Sequence, residues 1–228
     1  MFSELFHSLK YKNKKKPTIL KNEKNEELIQ ELRFEGITDE KILSAIRVVP
    51  RELFTENLDE AYENKALSVE CNQTLTQPFC TAFMISSLDL RPTNNVLEIG
   101  TGVGWTTAVI SKLVKTVFTM ERFKKLLDIA KKNIAKLKIE NVQFKLGNGF
   151  EGWGDKILFD AIIIGAASKV VPLKLLESLK FNGRLVMPKK YDAGNQKLLL
   201  VTKKSGNFEQ KELLDVKFVP LLNEASVK

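Results

Sequence analysis

Apolar residues recur along this chain with two periods, and the points where the period changes outline its elements. Leu28, Ile29 and Leu32 make the apolar side of a helix from Glu26, with Gly36 as its expected stop. Thr38 or Asp39 can cap a second helix carrying Ile42, Leu43 and Ile46. That helix must end near Pro50, because the residue before a proline avoids helical backbone. Beyond these helices the pattern alternates. Asn95–Ile99 reads as a strand entering Gly100-Thr101-Gly102-Val103-Gly104, followed by a helix over 106–113 and a strand over 116–120. Phe123, Leu126, Leu127, Ala130, Ile134 and Leu137 mark an amphipathic helix with lysines outside. Val142–Leu146 is a third strand, and 161–164 a fourth, apolar on both faces as a central parallel strand should be. Residues 171–179 read as helix, Asn182-Gly183 as a turn and 185–187 as a further strand. Strands over 198–202 and 212–219 flank Ser205-Gly206-Asn207, a hairpin signal. The pattern predicts an α/β fold: a doubly wound, Rossmann-like sheet with an N-terminal helical extension and a C-terminal antiparallel hairpin.

Composition narrows this reading. At 228 residues, 43% apolar and 28% charged, the chain suits one globular domain with its own core. The expected organisation is a basic, mobile tail over 1–24 and a single domain over 25–228, whose N-terminal helices (25–75) lie over the sheet. No apolar run nears the roughly 18 residues of a membrane span. The N-terminus lacks the uninterrupted apolar stretch of a secretory leader. Two cysteines, Cys71 and Cys80, suggest a reducing, cytoplasmic compartment and read as packing residues.

The net charge of +8 is uneven: residues 1–24 hold seven lysines against Glu4 and Glu23, leaving about +3 for the rest. A high pI of this origin is poor support for nucleic-acid binding by the folded body. Phe2, Leu5, Phe6 and Leu9 give the tail a short apolar face, which fits a weak anchor for an acidic membrane or partner, or a solvated tail, the reading preferred here. The single histidine, His7, lies in that tail. A Ser-His-Asp triad, a Cys-His dyad and a histidine-ligated metal are therefore not expected.

The chemistry centres on the glycine turn. A strand that feeds glycines and then a helix brings backbone N–H groups close to a ligand. Dehydrogenase spacing would put a third small residue at 105, where this chain has Trp105. Glu98, two residues before Gly100, completes Glu-x-Gly-x-Gly-x-Gly, which resembles motif I of class I S-adenosylmethionine methyltransferases. Glu98, Gly100, Thr101, Gly102 and Gly104 are thus cofactor candidates. Glu121, after the next strand, stands where a carboxylate can accept from ribose hydroxyls. Gly147-Asn148-Gly149 follows the third strand, and Asn148 and Gly149 are candidates for the adenine end.

Six segments in order carry a narrower likeness: Val49-Pro-Arg-Glu-Leu-Phe54, Gln73-Thr-Leu-Thr-Gln-Pro78, the glycine turn, Phe159-Asp-Ala-Ile-Ile163 with Ala166-Ala167 and Val171-Pro172, Asn182-Gly-Arg-Leu-Val-Met-Pro188, and Phe218-Val-Pro-Leu221. Over roughly residues 25–222 the chain resembles the protein-L-isoaspartate O-methyltransferases. The resemblance implies a monomeric repair enzyme that methylates the α-carboxylate of L-isoaspartyl residues in damaged proteins, with S-adenosyl-L-methionine as donor. It implies Thr76 as the catalytic hydroxyl, Thr74 on the cofactor, and Gln77 and Pro78 on the substrate. The inventory agrees, since a carboxylate is already ionised near pH 7 and needs no general base. Three positions depart from the family pattern. Thr76 replaces serine, Glu70-Cys71-Asn72 replaces Gly-aromatic-Gly, and Asn148 replaces aspartate. A methyltransferase acting on RNA or a small molecule, and a non-catalytic cofactor-binding relative, stay open at this point.

Overall fold

The structure, a computed structural model, describes residues 17–154 and 156–223, with side chains from 23 onward. The apolar start of the tail therefore lies outside the described residues.

Helix α1 (Pro17–Phe34) begins inside the stretch expected to be tail, nine residues before Glu26. It buries Leu28, Ile29 and Leu32, and Gly36 takes φ 100° just beyond it. Helix α2 (Glu40–Val48) is capped by Asp39, whose side chain accepts from the Lys41 N–H. After a 3-10 turn at Arg51–Phe54 come two short antiparallel strands, β1 (Leu67–Val69) and β2 (Gln73–Leu75), and helix α3 (Pro78–Ser87). The sequence pattern did not foretell these three elements.

The main sheet comprises β3 (Asn95–Ile99), β4 (Thr116–Glu121), β5 (Val142–Leu146), β6 (Phe159–Ile164), β7 (Leu179–Lys190), β8 (Gln196–Lys203) and β9 (Phe208–Asp215), in the order β5-β4-β3-β6-β7-β8-β9. Strands β3 to β7 run parallel, and β8 and β9 add antiparallel edges. Helices α4 (Trp105–Ser111) and α5 (Lys124–Lys136) lie between β3, β4 and β5, and α6 (Leu173–Glu177) between β6 and β7. The chain reverses direction across the sheet between β3 and β6, so the crevice at their carboxyl ends is where a doubly wound fold binds its ligand.

Side chains alternate along β3. Val96 packs toward the N-terminal helices and α4, while Leu97 and Ile99 pack toward Trp153, Phe159 and Leu175 on the other face. Glu98 shares the face of Val96, and the parallel register sets it opposite Thr119.

Three boundaries need correction. The helix expected over 171–179 is only α6, because Leu179 already pairs with Phe159 in the sheet. Asn182-Gly183 does not separate a helix from a strand; it bulges within β7. The register there jumps from Phe159–Leu179 to Ala161–Arg184, Asn182 takes φ 59°, and a Cβ on Gly183 would lie 2.8 Å from the Lys180 carbonyl. The last strand is β9, which starts at Phe208, so residues 216–222 leave the sheet. The Gln196 side chain pins them, donating to the Phe218 carbonyl (3.1 Å) and accepting its N–H (2.7 Å). Ala167 then pairs with this strap, exchanging hydrogen bonds with Val219 and Leu221.

Candidate active site

The carboxyl ends of β3, β4 and β6 open on a cleft of about 780 Å³. One wall is the glycine turn with Glu121, Arg122 and Phe123. The opposite wall is Gln73–Leu75 with Thr76, and Val219 to Leu222 of the strap close one side.

The turn works differently from the sequence expectation. Its N–H groups are largely spent within the protein: Gly100 and Thr101 donate to the Met120 carbonyl, Gly104 to the Thr101 carbonyl, and Gly102 to Glu121 Oε2 at 2.8 Å. The turn therefore offers close approach more than donors. Gly102 has φ 55°, and a Cβ there would meet nothing within 4 Å, so its bare face is open to the cleft. Gly104 serves packing: a Cβ would come 3.1 Å from that of Ala130 on α5. Gly149 is fixed likewise, since a Cβ would fall 2.2 Å from Ile99 Cγ2.

Glu121 is 5% exposed and held by three backbone donors. Oε1 accepts from the N–H groups of Arg122 (2.8 Å) and Phe123 (3.0 Å), and Oε2 from Gly102. Burial raises its pKa, and these N–H groups oppose the rise. Three bonds leave about one lone-pair site, on Oε2, on a rigid carboxylate at the cleft edge, which suits it to a ligand hydroxyl.

Glu98 does not reach the cleft wall. It lies beneath the turn at 2% exposure, where Oε2 accepts from the Thr107 hydroxyl and from the Thr119 hydroxyl at 2.6 Å. Because Thr119 donates to Glu98, the 2.6 Å contact between Thr101 and Thr119 has Thr101 as donor. The network thus fixes the orientation of Thr101, which does line the cleft. Burial pushes the Glu98 pKa up to about 7 against these two hydrogen bonds, with the nearby Glu121 charge adding to the rise.

The second wall is stitched from distant residues. Gln77 donates through Nε2 to the Asn64 carbonyl at 2.9 Å and accepts from Cys80 Sγ, while Asn64 Oδ1 takes the Phe79 N–H at 3.0 Å. Pro78 is buried as the first residue of α3, where its missing N–H costs nothing. Thr76 does not cap that helix; the N-cap is Gln77, which makes no side-chain cap bond. Among the described residues nothing takes the Thr76 hydroxyl.

Thr74 and Thr76 face a second opening as well. A groove of about 980 Å³ lies on the outer side of the same segment, lined by both threonines, Gln77, Cys80 and residues 214–218. Burial pushes the Cys80 thiol up to about 11, so it is protonated and no nucleophile at neutral pH. Both cysteines are free.

The departures from the family pattern are accommodated. Cys71 and Asn72 take φ 61° and 55°, left-handed backbone that asparagine tolerates well. Glu70 pairs with Lys125 of α5 at 2.8 Å and so presents no lone negative charge. Asn148 does not line the cleft: its Oδ1 accepts the Phe150 N–H and caps the short turn Gly149–Glu151. Of the cofactor candidates, Thr74, Gly100, Thr101, Gly102, Glu121 and Gly149 come together on the cleft with Thr76. Sequence reasoning missed Trp105, Phe123, Leu126 and the strap residues 219–222. Only the strap had a signal, Phe218-Val-Pro-Leu221, to which no role had been given. Among the described residues no group of three His, Cys, Asp or Glu side chains could hold a metal ion.

A doubly wound sheet with this glycine turn, strand-end carboxylate and cleft defines a class I-type methyltransferase. The comparisons are narrower. Residues 22–226 match the family model described as Protein-L-isoaspartate(D-aspartate) O-methyltransferase (PCMT), and the chain belongs to that family. The curated Protein-L-isoaspartate O-methyltransferase of Dictyoglomus turgidum is 44% identical over 223 residues, 96% of each chain. That of Aliivibrio fischeri is 45% identical over 203 residues, 88% of this chain and 97% of its own. A solved protein-L-isoaspartate O-methyltransferase superposes with TM-score 0.81 at 29% identity, over 89% of this chain and 67% of that one. The Plasmodium falciparum beta-aspartate methyltransferase (PCMT), crystallised with S-adenosyl-L-homocysteine, superposes with TM-score 0.78 at 26% identity, over 88% and 99%.

Proposed function

We propose that this chain transfers the methyl group of S-adenosyl-L-methionine to the α-carboxylate of L-isoaspartyl residues in damaged proteins, with Thr76 holding the acceptor. The observation that carries the reading is the shared wall. Thr74 and Thr76 line both the cleft beside the glycine turn and Glu121 and the separate groove on the outer side of the same segment.

The residues present fit the cofactor. Glu121 keeps one lone-pair site for a ribose hydroxyl, Gly102 leaves space over the turn, and Gly149 keeps the far end free of side chain. Bound there, S-adenosylmethionine supplies a methyl on a sulfonium sulfur, which passes to a carboxylate oxygen as the C–S bond breaks, leaving a methyl ester and a neutral thioether. No proton changes place, so the chain's own work is positioning and exclusion of water. The Thr76 hydroxyl donates to one carboxylate oxygen and replaces a hydrogen bond lost to water. Thr101, fixed through Thr119 and Glu98, holds the turn side of the cleft. Gln77 and Pro78 serve the substrate side by fixing where Thr76 stands.

We propose a monomer as the active unit. Two free cysteines support the cytoplasmic reading. No helix among the described residues is long and apolar enough to cross a membrane. The deciding assay supplies labelled S-adenosylmethionine with an isoaspartyl peptide, its aspartyl counterpart and an RNA. Base-labile label is expected on the isoaspartyl peptide alone. Label on the RNA, or none on any acceptor while S-adenosylhomocysteine binds, would overturn the reading.

A further inference from the structure

Arg51 is among the most completely buried side chains of the protein, at 1% exposure, directly after Pro50 in the turn between α2 and β1. A guanidinium stays charged at neutral pH even though burial lowers its pKa to about 9. Buried cations are ordinarily paired. Among the described residues no carboxylate forms an ion pair with this one, and the neighbouring Glu52 instead takes the Tyr62 hydroxyl. What Arg51 does touch is the site. Nη2 donates to the Thr76 carbonyl at 2.9 Å and to the Lys65 carbonyl at 3.3 Å, and the guanidinium lies 4.2 Å from the centre of the Trp105 ring. Thr76 and Trp105 both line the cofactor cleft, from opposite walls. Nε and Nη1 are fully buried without a partner.

A charge kept out of water with two idle donors is costly for stability alone. Methionine would fill similar volume against Trp105 without the penalty. The arrangement makes sense if the counter-charge arrives with the substrate. Resting on the proposed acceptor, we infer that Arg51 is a positioning and specificity residue for the anionic acceptor. It locks the Thr76 peptide unit against Trp105, and it places an unneutralised positive charge behind the corner where the isoaspartyl carboxylate docks. The preference for a carboxylate over a neutral group of the same shape then comes partly from a residue that never touches the substrate. The field of a buried cation is weakly screened, so it reaches a carboxylate held by Thr76.

The test splits charge from packing. In Arg51→Gln the donor to Thr76 can survive while the charge is lost. The KM for an isoaspartyl peptide should rise about tenfold or more, with S-adenosylhomocysteine affinity unchanged within about twofold. Arg51→Lys keeps the charge and should recover most of the KM while turnover stays low, because the guanidinium's seat between Thr76 and Trp105 is lost. A peptide with the α-carboxylate converted to carboxamide, used as competitor, reads the charge directly. Wild type and Arg51→Lys should prefer the acid strongly, and Arg51→Gln should lose most of that preference. A merely structural arginine would lower cofactor affinity and melting temperature in both variants and leave the acid-to-amide ratio alone. An unchanged peptide KM in folded Arg51→Gln overturns the inference. If Arg51→Gln does not fold, Arg51→Lys decides: loss of the acid preference despite retained charge overturns it equally. A wild-type chain inert on isoaspartyl peptide while binding S-adenosylhomocysteine removes the substrate reading and this inference with it, a failure visible before any variant is compared.

Discussion

The two walls of the cleft are built on different principles. On the sheet side, residues 95–126 form strand, glycine turn, helix and strand, and the two carboxylates there are held by close neighbours: Glu98 Oε2 by Thr119 in register and by Thr107, Glu121 by Gly102 and the two N–H groups after it. On the opposite side, residues 64–78 contain two three-residue strands and two consecutive left-handed residues, Cys71 and Asn72. That wall is held by single side-chain bonds: Arg51 reaches in to the Thr76 carbonyl, Gln77 crosses the segment to the Asn64 carbonyl, and Gln196 pins the strap that closes the groove. The cofactor wall is set by the backbone ladder, so its geometry costs little to maintain. The acceptor wall depends on a few long-range hydrogen bonds, each of which a single substitution can remove.

The largest effects should come from crossing the two walls. Glu121→Ala leaves three backbone N–H groups without their acceptor and removes the partner of the ribose hydroxyl. It should weaken S-adenosylhomocysteine binding by about 1–3 kcal/mol, or roughly 5- to 150-fold in Kd, and lower the melting temperature. Thr76→Val does the reverse. It keeps shape and disturbs no hydrogen bond of the fold, so cofactor affinity and melting temperature should hold while turnover of an isoaspartyl peptide falls about five- to tenfold. Thr76→Ser should retain activity. Calorimetry beside peptide turnover distinguishes the walls, and a Thr76→Val that loses cofactor affinity would mean they are not separable.

A smaller effect isolates the buried network under the glycine turn. Glu98 titrates near 7 in the folded protein, against about 4.5 when unfolded. Below the lower value both states hold the proton, and above the higher value neither does. Between them the folded state binds more protons, so this group's contribution to stability falls as pH rises through the window. Glu121, also raised by burial, acts with the same sign. Glu98→Gln should remove the Glu98 part and flatten the profile of stability between about pH 4.5 and 7, measured by urea denaturation. A profile as steep as wild type would mean that the proton is held elsewhere.

The contrast between the walls also explains what the sequence made legible. The main sheet, its order of elements and Glu121 follow from local periods and a turn whose chemistry is written in adjacent residues. Thr76 was reachable only through resemblance, since Gln73 to Pro78 has no period and its shape depends on partners up to 25 residues away. Glu98 and Gly104 were placed on the ligand because motif spacing says which residues cluster, not which face of the strand they occupy. Alternation along β3 puts Glu98 against Thr107 of α4, and Gly104 is needed by Ala130. Arg51 lay within the Val49–Phe54 segment of the resemblance, but no role had been given to it. A lone arginine after proline reads as surface until the fold buries it.

The smallest effect concerns the Glu70–Lys125 ion pair, which ties the segment before Gln73 to α5, the helix whose first turn lines the cofactor side. Both side chains are about half exposed, at 46% and 62%, so water and salt screen the pair and its contribution is small. Lys125→Gln removes it from the helix without touching the left-handed backbone at Cys71 and Asn72. The melting temperature should move by no more than a few degrees. The dissociation rate of S-adenosylhomocysteine should rise by less than about fivefold, with the difference from wild type vanishing above roughly 0.5 M salt. A change much larger than this, or one that persists at high salt, would show that the two walls depend on each other through this contact and that the cofactor wall is not self-sufficient. A change of the expected size leaves the acceptor wall anchored by Arg51 and Gln77, whose buried bonds salt does not reach.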